Sequence, residues 1–169
     1  IGVLAGVGVD GGAADAGFCS GFRPAKPTRK PPPGAGAEAI AASAIVILAV
    51  PYNATHGIAS SVPDWSGKIL VDTTNPIAPG RAGLSVGTND SGAETIARAA
   101  HNAPVVKAFN VTGAENMANS QYGTGVPFMP VCGDDAAARH SVLELATRIG
   151  FDAVDMGPLS AARYIEPFA

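Results

Sequence analysis

With 169 residues, 47% of them hydrophobic and 15% charged, the chain has enough apolar material for one buried core and too little charge for disorder. Its formal net charge of −3 offers no basic footprint for nucleic acid or an anionic membrane surface, so neither is expected as a partner. The longest strongly apolar run, AIVILAV at 44–50, is far too short to cross a membrane.

The opening IGVL predicts a first strand. Gly6, Gly8 and Gly11 follow it at the G-x-G-x-x-G spacing. In that pattern Gly6 permits a tight turn and Gly8 lets the backbone approach a pyrophosphate. Gly11 lets the next helix pack closely, with its free N–H groups aimed at the anion. The motif is weakly specific alone and gains weight from its place at the first strand–helix junction. Asp10 brings a negative charge to the same helix start, and a glycine-rich loop without ligand is the alternative reading.

Residues 21–37 hold five prolines where a second strand is due. Proline donates nothing to a sheet ladder, so the stretch reads as a poor edge strand or a long loop. Thr28, Arg29 and Lys30 stand about 20 positions beyond the glycine turn, where an NAD site carries an acid. Two cations and a hydroxyl suit the 2′-phosphate of NADP instead; a solvated basic loop is the bland alternative.

Further strands are predicted at 44–50, 68–74, 104–110, 127–133 and 151–156, with helix-patterned segments between them. The clearest helix is DDAAARHSVLELATRIG. Asp134 is placed to cap it, Ala138, Val142, Leu145 and Ile149 repeat at helical spacing, and Gly150 ends it. Continuous apolar strands alternating with helices predict an α/β fold, a doubly wound parallel sheet of Rossmann type. In such sheets the carboxyl ends of the strands line the ligand crevice. Val50 and Pro51 offer an apolar wall there, Asn75 and Asn110 amides, and Lys107 a cation. Each is equally readable as a turn former or cap.

Cys19 and Cys132 lack paired spacing and read as reduced thiols of a cytoplasmic protein. His56, His101 and His140 are scattered. No metal-binding or nucleophile motif is present in the sequence, so no catalytic side chain and no metal ligand is assigned.

Together IGVLAGVGVDG, TRKP, ILAVPY, VDTTNP, VVKAFN and GFDAVDMGPLSAARYIEP resemble the NADPH-dependent coenzyme F420 reductase family, whose relatives include the oxidoreductase domain of the STEAP metalloreductases. The resemblance implies a single NADP-binding Rossmann domain over 1–169, with 157–169 starting a C-terminal helical segment. It implies hydride transfer between NADP(H) and a small-molecule acceptor, F420 or a flavin, in a homodimer. Gly6, Val7, Gly8 and Val9 would meet the pyrophosphate, and Thr28, Arg29 and Lys30 the 2′-phosphate. Val50, Pro51, Asn75 and Pro76 would line the nicotinamide side, with Ala108, Phe109 and Asn110 on another segment of that cleft. Asp10 and Asp15 depart from the small or apolar residues usual there. The rival readings are a non-catalytic NADP-binding redox sensor and a different NADP-dependent reductase on the same fold, acting on an imine, a ketoacid or ferric iron.

Overall fold

The computed structural model describes residues 2–5, 17–18, 35–113, 117 and 125–168. Among the described residues, seven strands form one sheet in the order β2-β1-β3-β4-β5-β6-β7. They are β1 Gly2–Ala5, β2 Gly17–Phe18, β3 Ile45–Ala49, β4 Ile69–Asp72, β5 Val105–Lys107, β6 Phe128–Gly133 and β7 Asp152–Asp155. The described helices are α1 Ala35–Ala41, α2 Tyr52–Ser61, α3 Gly92–Ala99, α4 Ala136–Arg148 and α5 Ala162–Ile165.

Period-2 alternation explains how the strands feed two cores. Val46, Leu48, Leu70 and Val105 point to one face, where Ala59 of α2, Ile96 of α3, Trp65 and Ile165 cover them. Val71 and Val106 point to the other, beneath Ala138, Val142 and Ala146 of α4. Trp65 is fully buried and its indole N–H donates to the Ala59 carbonyl at 3.0 Å. With both faces covered, the apolar runs need no polar side, and the doubly wound reading holds.

Strand direction departs from the all-parallel expectation. β1, β3, β4 and β5 run parallel, but β6 pairs antiparallel with β5, and β7 then runs parallel to β6. A strand buried on both faces reads the same in either direction, so composition cannot reveal the reversal. At the other edge, the antiparallel neighbour of β1 is the two-residue β2; the proline-rich stretch up to residue 34 lies outside the described residues.

Asp135, not Asp134, caps α4: its side chain accepts the Ala138 N–H at 2.8 Å. Asp134 instead accepts the Leu159 N–H, also at 2.8 Å, tying the C-terminal segment to the end of β6. Gly150 ends the helix at φ 97°, the left-handed conformation glycine adopts freely. Among the described residues no helix is long and apolar enough to cross a membrane.

Candidate functional site

The parallel pairing sets Leu48, Asp72 and Lys107 side by side across β3, β4 and β5. Residues just beyond them therefore share one edge of the sheet. Val50 and Pro51 leave β3, Asn75 and Pro76 follow β4, and Ala108, Phe109 and Asn110 follow β5. These predicted site residues are brought together at the strand ends. Gly6, Val7, Gly8, Val9, Gly11, Thr28, Arg29 and Lys30 lie outside the described residues, as do Asp10, Asp15 and Cys19.

The two asparagines bind each other. Asn75 Nδ2 donates to the Asn110 backbone carbonyl and Asn110 Nδ2 donates to Asn75 Oδ1, both at 2.9 Å. This exchange fixes the orientation of both amides and turns Asn110 Oδ1 away from the pair. That oxygen is buried and, among the described residues, is the one buried side-chain nitrogen or oxygen without a hydrogen-bond partner. Pro51 is exposed at the start of α2, while Val50, Pro76 and Ala108 are buried.

Phe109 adopts φ 62°, a left-handed conformation that costs a bulky residue about 1–3 kcal/mol and persists only where the surroundings enforce it. Its N–H donates to Met129 Sδ at 3.1 Å, and its ring packs edge-on against Phe151 with centroids 6.3 Å apart. The side chain therefore belongs to the core under α4, and the backbone twist delivers Asn110 to Asn75.

Lys107 is not a cation offered to the crevice. It is fully buried, 2.8 Å from Asp72 Oδ2 and 3.0 Å from Glu166 Oε1, and its ammonium also donates to the Thr74 carbonyl. Asp72 Oδ1 accepts the Thr74 N–H at 2.9 Å and its hydroxyl at 2.7 Å. Glu166 accepts the Gly92 and Ala93 N–H groups at 2.9 and 3.0 Å, so the free amides that open α3 help balance two carboxylates against one ammonium.

Sequence reasoning missed Asp72, Glu166 and the cap of α3. Ser91 accepts the Glu94 N–H at 3.1 Å, and its hydroxyl donates back to the Glu94 carboxylate at 2.8 Å. The S-x-x-E spacing before an apolar-periodic run was the available signal. Nothing in the spacing pointed to Asp72 and Glu166, which meet only in three dimensions.

Arg163 grips Glu94 with two bonds of 2.6 and 2.9 Å, fastening the C-terminal segment to the same helix start. That guanidinium, aided by Ser91 and opposed by burial, holds the Glu94 carboxyl below its ordinary range. The stabilisation is present above the unfolded-state value and fades as pH falls through the lowered folded one. Burial lifts the Tyr52 phenol above its usual range; a hydrogen bond with Thr95 opposes this, and Glu166 and Asp72 add to it. Burial likewise pushes the Cys132 thiol up to about 12, leaving a protonated core residue rather than a nucleophile.

Gly92 lets these parts converge. A Cβ there would lie 2.9 Å from the Tyr52 ring, 3.2 Å from Glu166 Oε1 and 3.3 Å from Pro76 Cδ. Gly92→Ala is expected to destabilise by about 1–3 kcal/mol through overpacking, despite alanine's better helix propensity. Thermal melting checks this, and an unchanged or higher midpoint would show that the neighbours yield freely.

A separate cavity of about 500 Å³ lies at the opposite end of the strands, lined by Ile40, Ile58, Val62 and Lys68 among others. Lys68 there donates to the Ala41 and Ser43 carbonyls at 3.0 Å each, so its ammonium is engaged. None of the described predicted site residues lines it.

The family model described as NADP oxidoreductase, coenzyme F420-dependent, matches residues 25–76. The metalloreductase STEAP3 of Rattus norvegicus is 35% identical over 131 residues, covering 76% of this chain and 25% of that protein. Among solved structures, the hypothetical protein SMa0349 from Sinorhizobium meliloti superposes with a TM-score of 0.71 at 33% identity, covering 79% of this chain and 65% of that one. A protein assigned as an F420-dependent NADP-reductase from Arthrobacter sp. FB24 superposes at 0.72 with 29% identity, covering 78% and 63%. The chain thus spans a quarter of the curated relative and just under two thirds of the two solved ones.

Proposed function

We propose that this chain is an NADP(H)-dependent oxidoreductase of the coenzyme F420-dependent kind, binding NADP(H) along the carboxyl ends of its parallel strands and passing hydride to F420 or a flavin. What supports the nicotinamide side of this reading is Asn110 Oδ1. A buried acceptor without a donor costs about 1–3 kcal/mol, and a carboxamide N–H arriving at that atom removes the penalty.

In this reading Gly6, Val7, Gly8, Val9 and Gly11 receive the pyrophosphate, while Thr28, Arg29 and Lys30 hold the 2′-phosphate. Pro51, exposed at the start of α2, presents a ring that excludes water from the reacting face, and the Asn75–Asn110 pair orients the carboxamide. Bound NADPH supplies the hydride, so the protein's tasks are alignment and desolvation. No side chain is assigned as acid or base: Lys107 is committed to carboxylates, and His56, His101 and His140 are exposed.

The test is a fluorescence titration with NADPH, then turnover with oxidised F420, FMN and a ferric chelate. The chelate is included because STEAP3 is a metalloreductase. Binding followed by NADPH oxidation with F420 or FMN is the expected result. Turnover with the chelate alone would move the acceptor to iron, and binding without any turnover would favour a redox sensor. Asn110→Leu should weaken NADPH binding about tenfold, the worth of one buried hydrogen bond, and leave adenosine 2′,5′-bisphosphate unaffected. Unchanged NADPH affinity in that variant would remove Asn110 from the site.

A further inference from the structure

Glu166 lies far along the chain from the strand ends, yet its carboxylate reaches them through one intermediary. We propose that Glu166 is a positioning residue for the nicotinamide-side wall, acting through Lys107; the inference rests on the NADP(H) reading above.

The geometry runs through Thr74, the residue before Asn75. Asp72 holds the Thr74 N–H and hydroxyl, and Lys107 holds its carbonyl. Both polar ends of that residue are thereby fixed, which sets the direction in which the Asn75 side chain leaves. Asn75 in turn donates to the Asn110 carbonyl and accepts from its amide. Lys107 keeps its place because Glu166 Oε1 stands 3.0 Å from Nζ and Asp72 Oδ2 2.8 Å from it. Glu166 is itself anchored by the Gly92 and Ala93 amides and is only 1% exposed.

A second contact runs beside the first. The Ile165 carbonyl, one residue before Glu166, lies 3.4 Å from Asn110 Nδ2. The C-terminal segment therefore touches the wall on both sides of the amide pair, through Lys107 to Asn75 and through Ile165 to Asn110. Glutamine at 166 would keep the shape but lose the charge. Its –NH₂ would face either the Lys107 ammonium or the α3 amides, donor against donor. Lys107 would then swing toward Asp72 and loosen its hold on the Thr74 carbonyl.

Glu166→Gln, with Glu166→Asp as the variant that keeps the charge but shortens the reach, separates positioning from mere stabilisation. In ¹⁵N-labelled protein without ligand, the side-chain amide signals of Asn75 and Asn110, assigned with Asn75→Asp and Asn110→Asp, are expected to move in both variants. NADPH affinity should fall about tenfold in Glu166→Gln, the worth of one charge-assisted hydrogen bond, while adenosine 2′,5′-bisphosphate binds as in the parent. Glu166→Asp should fall less. Unmoved amide signals in folded variants, or equal losses for both ligands, would overturn the proposal. Should Glu166→Gln fail to fold, Glu166→Asp decides on the same two readouts. If the parent binds neither ligand, the NADP(H) reading falls, and the amide signals still decide the coupling.

Discussion

Replacing Lys107 with methionine is expected to destabilise the fold by about 3–5 kcal/mol, the largest single-residue effect foreseen for this protein. Methionine matches the aliphatic stem, so little packing is lost. What remains is two carboxylates, Asp72 and Glu166, both essentially inaccessible to water and both deprived of their cation. The Thr74 carbonyl loses its donor as well. Urea unfolding should show the midpoint falling with little change in slope, since the surface exposed on unfolding is nearly the same. Adding Asp72→Asn and Glu166→Gln to the Lys107→Met chain should recover part of the loss, because neutral amides remove the uncompensated buried charge. A loss below about 1 kcal/mol for the single variant would mean that water or another cation reaches the carboxylates.

Charge reversal by Arg29→Glu is expected to lower NADPH affinity about 100-fold while NADH affinity changes little. The argument is electrostatic. A 2′-phosphate is a dianion best held by guanidinium and ammonium groups, and a carboxylate in place of the guanidinium would turn attraction into repulsion. NADH carries no phosphate there, so the same change leaves it nearly indifferent. Parallel titrations with both dinucleotides measure the ratio. Equal losses would show that Arg29 acts on the fold or the pyrophosphate rather than on the 2′-phosphate.

The site was legible in the sequence to differing depths. Strand-end position marks Val50, Pro51, Asn75 and Asn110 in the sequence, Pro76 and Ala108 are marked by the family resemblance, and register brings all six to one edge. Phe109 is marked by the resemblance alone, and its ring turns into the core at a positive φ that no propensity foretells. Lys107 reads in the sequence as a cation for the crevice, and the structure buries it between two carboxylates instead. A lysine after two valines looks like the exposed end of a strand, and only the convergence of Asp72 and Glu166 shows why it is buried.

The sequence alone determined the apolar runs and their alternation with helices, because these are local properties of periodicity and residue chemistry. Tertiary structure alone decided the reversal of β6, the choice of Asp135 over Asp134 as cap, and the buried Asp72–Lys107–Glu166 cluster. The reason is common to all three. A strand buried on both faces carries no mark of its direction, adjacent aspartates have equal capping chemistry, and charges far apart along the chain attract one another strongly only after folding has removed the water between them.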